Sequence, residues 1–191
     1  MALPVVTPEM QNQITRVCDF HHRLRRCPKC TVLVNEPMGD GPAADRLVHT
    51  SEHFLAVVPF ACRANHVSIV PRVHQHSWLD IGRKELDDLA SVLQLVMEAL
   101  YHLLNDPSYI ISMFSLDCQA LIDEAPQNVG EAFHWSLEVQ PRVEGDLGGL
   151  ELASGVRVVD GLPEDFARDL RSTLTERLAL RKLQSDQPAG R

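Results

Sequence analysis

The residues best suited to chemistry are Cys27 and Cys30, which form the turn Cys-Pro-Lys-Cys. Two thiolates at this spacing can share one tetrahedral metal ion, and zinc favours such ligands. Thioredoxin-like redox pairs use the same spacing but open a helix that follows a strand. Here the predicted helix precedes the pair, and this order favours a metal site. A thiol redox function is the weaker alternative.

Histidines can supply the remaining metal ligands, and the chain has nine of them. His74 and His76 follow a predicted strand, and His134 lies on another. A Cys-Cys-His-His zinc site assembled from separate elements is therefore expected. Spacing alone does not choose between His74 and His76. Five of the other histidines are interpreted as surface residues: His21, His22, His49, His53 and His102.

The elements that must position these residues show both helical and strand patterns. Apolar spacing predicts helices over about 8–25 and 83–105 and a last helix that begins at Pro163. Short β-type runs are predicted at 47–48, 54–58, 67–70, 109–116 and 133–140, with loops at 35–45 and 117–131. We expect a single α+β domain over residues 1–183, with its core at about 27–180, and a disordered tail at 184–191.

Bulk composition narrows the class of function. The net charge of -8 argues against nucleic-acid binding, which relies on clustered Lys and Arg. A local basic group at Arg23, Arg25, Arg26 and Lys29 either meets an anionic substrate or is a solvated helix end. No apolar run approaches the ~20 residues of a membrane helix, and no signal-peptide pattern is present. The odd number of cysteines indicates reduced thiols in a cytoplasmic setting.

Several motifs together resemble the histidine-triad (HIT) superfamily. The run 59–74, PFACRANHVSIVPRVH, resembles its strand-turn-strand. The run 133–142, FHWSLEVQPR, is similar to the signature of galactose-1-phosphate uridylyltransferase-like proteins, as are 148–155, GGLELASG, and 162–165, LPED. The similarity covers about residues 20–175. It implies a HIT-like fold, in which helices pack on an antiparallel sheet.

The resemblance also implies a ligand set and an assembly. It assigns zinc to Cys27, Cys30, His74 and His134, and so chooses His74 over His76. Two such domains usually combine in this family, as tandem halves of one chain or as a dimer. This chain has about half the tandem length and is most similar to the C-terminal half. A homodimer is therefore expected.

The signature departs from the active pattern at one position. Active members read His-x-His, and the second histidine attacks the nucleotide α-phosphorus to form a covalent intermediate. Ser136 stands at that position, and a serine is a poor nucleophile without a base to take its proton. The expected function is a zinc-binding domain that holds a nucleotide or sugar phosphate. The alternative is an active nucleotidyltransferase or a nucleotide hydrolase or phosphorylase of nucleotide-sugar metabolism. Direct hydrolysis or phosphorolysis would skip the covalent step.

Four further residues are candidates for substrate contact. Glu138 alternates onto the predicted strand face of His134 and Ser136, and can accept a substrate hydroxyl. His66 precedes a strand and can line a pocket. Arg72 and Arg142 each follow a strand-ending proline and can pair with a phosphate.

Overall fold

The computed structural model describes residues 8–35, 38, 41–60, 65–116, 128–142, 153–154 and 161–185. Several predicted features lie outside these residues: positions 61–64 of the strand-turn-strand motif, most of the loop at 117–131, most of the run at 148–155, and positions 186–191 of the predicted tail. Residues 184 and 185, which were assigned to that tail, belong to the last helix.

Four α-helices have both ends in the described part of the chain, and the three long ones lie where the apolar spacing predicted them. They are α1 (Pro8–Leu24), α2 (Arg83–Leu104), α3 (Val129–Ala132) and α4 (Pro163–Ser185). A π-helical segment covers Cys30–Asn35, and 3-10 turns cover Pro42–Arg46 and Trp78–Asp80. No helix among these is both long and apolar enough to cross a bilayer.

Five antiparallel strands form one sheet. They are β1 (Leu47–Thr50), β2 (Phe54–Val57), β3 (Val67–Pro71), β4 (Ser108–Phe114) and β5 (Ser136–Arg142). Their order is β1-β2-β3-β5-β4, so β5 lies between β3 and the edge strand β4. The register places Ser68 opposite Glu138 and Phe114 opposite Ser136. The predicted α+β fold with an antiparallel sheet is confirmed.

The prediction that β5 begins at Phe133 is wrong by three residues. The N–H of Phe133 donates to the carbonyl of Val129 at 2.8 Å and so completes α3. The N–H of Trp135 donates to the carbonyl of Gln75 at 3.0 Å, before the ladder with β3 begins. His134 consequently lies in the short connection between α3 and β5 rather than on the strand.

The main core lies between the sheet and the helices α2 and α4. Phe54, Ile69 and Trp135 point to this side, and the rings of Phe54 and Trp135 meet edge to face at 5.8 Å. A smaller cluster on the opposite face packs Leu33 and Val34 of the π-helical segment against the sheet. Because both faces are covered, the central strands read as continuous apolar runs.

We expect Leu170→Ala in α4 to lower the free energy of unfolding by about 2–5 kcal/mol, because this side chain is fully buried against the sheet. Leu183→Ala on the same helix is the matched control: its side chain is 64% exposed, and the change should cost no more than about 0.5 kcal/mol. Urea unfolding of both variants measures the difference. Equal losses would contradict this packing of α4.

Candidate functional site

Two cysteines and two histidines from separate segments converge beside the sheet. Cys27 follows α1, Cys30 opens the π-helical segment, His74 follows β3 and His134 precedes β5. One ligand atom from each side chain lies within 4.8 Å of the others, so the group can hold a metal ion. The structure brings His74 into this group and leaves His76 outside it, with its Nε2 4.0 Å from a carboxylate oxygen of Asp80.

The local sequence explains how the cysteine turn forms. Arg25 adopts a left-handed backbone, with φ of 53°, and its N–H donates to the carbonyl of His21 at 2.7 Å. This ends α1 and redirects the chain towards the turn. Both the N–H and the hydroxyl of Thr31 donate to the carbonyl of Cys27, at 3.1 and 3.0 Å. The turn is therefore ordered by hydrogen bonds to its own backbone carbonyls.

The distances fit a tetrahedral zinc site. Cys30 Sγ lies 3.2 Å from His74 Nδ1 and 3.1 Å from His134 Nδ1. Ordinary Zn–S and Zn–N bonds would separate such atoms by about 3.6 Å, so only a small relaxation is needed. His74 Nε2 donates to the carbonyl of Gly130 at 2.8 Å. That bond leaves Nδ1 of His74 turned towards the sulfurs, as metal binding requires.

The electrostatics of the group show what an ion would add. Hydrogen bonds from Cys30, His134 and His74 hold the pKa of Cys27 far below its ordinary value. The pKa of Cys30 is raised, because its thiol donates to Cys27 and is itself partly buried. A divalent cation would stabilise both sulfurs as thiolates.

The two imidazoles differ in their surroundings. Burial lowers the pKa of His134 and so favours the neutral imidazole that a metal ligand requires. Its Nε2 is buried and has no hydrogen-bond partner in the described part of the chain. The pKa of His74 is raised by its hydrogen bond with Cys27, against the effect of burial. As far as the described residues show, His134 is oriented by packing rather than by a second hydrogen bond.

A second group, which we call the β5 polar cluster, comprises Lys29, His66, Ser68, Ser136 and Glu138. Ser136 is fully buried, donates its hydroxyl to Glu138 Oε1 and accepts a hydrogen bond of 2.6 Å from Lys29 Nζ. Glu138 Oε2 accepts from Ser68 and lies 2.7 Å from His66 Nε2. Both carboxylate oxygens of Glu138 are thus engaged within the protein.

The charges in the β5 polar cluster compensate one another. Burial raises the pKa of Glu138, but the hydrogen bond from His66 and the charge of Lys29 outweigh it and hold the pKa at about 2. Burial lowers the pKa of Lys29, while the negative charges of Glu138 and Cys27 oppose that shift. The ammonium also lies 5.8 and 5.7 Å from the ring centroids of Phe114 and Phe133.

The predicted arginines lie elsewhere. Arg72 donates to the carbonyls of Ser51 and Glu52, at 3.1 and 3.2 Å, and so supports the turn between β1 and β2. Arg142 ends β5, six residues beyond Ser136 and so roughly 20 Å along the strand. Neither reaches the β5 polar cluster.

Sequence reasoning missed Lys29 and Ser68 as members of the β5 polar cluster. A serine inside the apolar run of β3 was a usable signal, because a buried hydroxyl needs a partner. Lys29 stands between the two cysteines, and nothing in the local pattern indicates that its side chain turns towards β5.

Comparison with known proteins supports the fold and the relationship. No protein-family model matches the chain. ADP-glucose phosphorylase of Arabidopsis thaliana is 26% identical over 172 residues, which is 90% of this chain and 45% of the relative. Galactose-1-phosphate uridylyltransferase of Thermotoga maritima is 30% identical over 181 residues, 92% of this chain and 54% of the relative. The chain spans about half the length of these relatives.

Solved structures agree with this relationship. A galactose-1-phosphate uridylyltransferase-like protein from Arabidopsis thaliana superposes with a TM-score of 0.75 at 25% identity, covering 90% of this chain and 52% of that one. A zinc-bound histidine-triad protein from Mycobacterium smegmatis has a TM-score of 0.53 at 22% identity, covering 81% and 96%. The chain is a HIT-like domain. Within that class it is related to the galactose-1-phosphate uridylyltransferases and ADP-glucose phosphorylase.

Proposed function

We propose that this chain is a zinc-stabilised HIT-like domain that binds a nucleotide or sugar phosphate without forming a covalent nucleotidyl intermediate. The observation that carries the proposal is the state of Ser136. This residue stands where the resemblance places the nucleophile, and it is buried with its hydroxyl bonded on both sides.

A serine nucleophile needs both access to substrate and a base. Ser136 has no exposed surface, and its proton is directed at Glu138. A carboxylate with a pKa of about 2 is a weak proton acceptor. No imidazole contacts Ser136 Oγ among the described residues. These conditions oppose attack on an α-phosphorus.

Zinc is proposed as the resident ion because two thiols and two imidazoles form its preferred structural donor set. When bound, zinc would hold both sulfurs as thiolates and link α1, β3 and β5 at one point. Cys18, Cys27 and Cys30 are free thiols in the structure. That state supports a reducing, cytoplasmic setting as part of the proposal.

Ligand binding is proposed from the relatives and from one cavity. Two relatives are named for reactions of ADP-glucose and galactose-1-phosphate. A cavity of about 190 Å³ at the end of α1 is lined by Asp19, His21, His22 and Arg25, among others. No described residue pairs with the Arg25 guanidinium. We place the phosphate there, because a guanidinium can pair with it through two hydrogen bonds.

An active phosphorylase is the second candidate. The observation in its favour is the Arabidopsis thaliana relative named ADP-glucose phosphorylase, which matches 90% of this chain. Direct displacement by inorganic phosphate requires no protein nucleophile, so a buried Ser136 does not oppose it. Phosphate-dependent consumption of ADP-glucose without a protein adduct would identify this function.

A homodimer completes the proposal, through the exposed edge strand β4. Among the described residues β4 pairs with β5 alone. It contains no charge and no proline, and Tyr109, Ile110 and Ile111 are each more than two-fifths exposed. Such an edge invites pairing with another strand. An antiparallel β4 of a second copy would continue the sheet, and relatives twice as long have room for two such domains.

For the metal, we expect about one zinc ion per chain by elemental analysis. Cys27→Ser and His134→Ala should each lose the ion and lower Tm by at least about 10 °C, because binding free energy is folding free energy. His76→Ala is the matched control, since this neighbouring histidine lies outside the group, and should keep the zinc. A wild-type protein that contains no zinc and has the same Tm as both variants would contradict the zinc proposal.

For the ligand, we expect ADP-glucose, UDP-glucose or a sugar phosphate at 100 times its Kd to raise Tm by roughly 5–10 °C. Arg25→Glu should abolish the shift, whereas Arg83→Glu, on the exposed start of α2, should leave it intact. Radiolabelled nucleotide sugar should leave no label on denatured protein. A covalent adduct that Ser136→Ala removes would show that the serine is a nucleophile after all.

For the assembly, we expect sedimentation equilibrium to give twice the monomer mass. Ile111→Lys on β4 should shift the protein to monomer, because it places a charge in the paired strands. Leu86→Lys on α2 is the control: the two side chains are 43% and 42% exposed, but Leu86 lies on a helix. A wild-type monomer, or a dimer indifferent to Ile111→Lys, would contradict pairing through β4.

A further inference from the structure

Lys29 is one of the two residues between the ligand cysteines, yet its side chain leaves the cysteine turn. Its ammonium donates to Ser136 Oγ at 2.6 Å and lies 4.0 Å from Glu138 Oε1. Ser136 is two residues beyond the ligand His134. The contact therefore joins the cysteine turn to β5 immediately beside the metal group.

Glu138 is the fixed end of this contact. Its side chain is only 9% exposed, and its carboxylate is surrounded by donors from β3, β5 and the residue before β3. A buried carboxylate that loses a cationic partner is strongly unfavourable, since its desolvation is then uncompensated. Lys29 is thus held in place by a group that does not move with the cysteine turn.

We infer that Lys29 and Glu138 are positioning residues for the metal group: their contact through Ser136 holds the cysteine turn against β5 and thereby sets the affinity for zinc. The inference rests on the proposed zinc site. Neither residue is a ligand, so its effect is exerted on the placement of Cys27 and Cys30 relative to His134.

The physical basis is preorganisation. The contact between Lys29 and Ser136 and the contact between Cys30 and His134 cross the same gap. Once the first contact is made, the sulfurs lie near the imidazoles before an ion binds. Metal binding then costs less conformational entropy. Partners that orient metal ligands in this way typically change metal affinity by about 10–100-fold.

Zinc affinity measured by competition with a chromophoric chelator tests this inference. We expect Lys29→Met and Glu138→Gln each to weaken zinc binding by about 10–100-fold. The double variant should bind zinc no more weakly than the single variant of lower affinity, because the two substitutions break the same contact. Glu98→Gln is the matched control. It removes a carboxylate bound to Arg177 and Arg181 on the other side of the molecule, and should lower Tm while leaving zinc affinity unchanged.

The outcomes separate the two proposals. A wild type that binds no zinc would refute the zinc site itself. If the wild type binds zinc and both Lys29→Met and Glu138→Gln bind it with the affinity of the wild type, the positioning role alone is overturned. Where circular dichroism shows that Glu138→Gln is unfolded, Ser136→Ala decides, since it removes only the bridging hydroxyl. Unchanged zinc affinity in folded Ser136→Ala would overturn the inference.

Discussion

A carboxylate buried in the middle of a five-stranded sheet is the constraint on which the site depends. An ionised Glu138 cannot remain in the interior without donors around it. The structure supplies them from β3, β5 and the residue before β3. The ammonium of Lys29 lies 4.0 Å from Glu138 Oε1, and this attraction between opposite charges holds Lys29 against β5. Lys29 is adjacent to Cys30. The contact that compensates the charge of Glu138 therefore also brings the Cys30 thiol close to His134.

The same arrangement bears on function. A strand face that presented a nucleophile would keep it open to solvent and beside a base. Here the polar face of β5 is turned to internal contacts, and Lys29 with the rings of Phe114 and Phe133 covers it. In the proposal above, β5 is therefore the structural support of the Cys/His group, and the ligand binds at the basic end of α1. The relationship to nucleotide-sugar enzymes supports the fold of this chain more directly than it supports an activity.

The helices and strands followed from local pattern, because an apolar face repeats within each element whatever lies opposite. Cys27 and Cys30 were likewise recognisable from a local pattern, the spacing of the two cysteines. The choice of His74 over His76 came from resemblance, since two histidines past a strand end differ only in where the chain turns next. The π-helical segment was not predicted. The start of β5 was missed, because the N–H of Phe133 completes α3 by donating to Val129. The contact of Lys29 with Ser136 spans 107 residues, beyond any local rule.

The position of β5 between β3 and β4 has a consequence for biosynthesis. Val67 pairs with Val139, far along the chain from it, and contacts this distant in sequence form slowly. At ~5–20 residues per second, roughly 10 s separate the synthesis of the cysteine turn from that of β5. Through that interval Cys27 and Cys30 lack His134, and Lys29 lacks its anion. The nascent domain must carry two unprotected thiols until β5 has been synthesised.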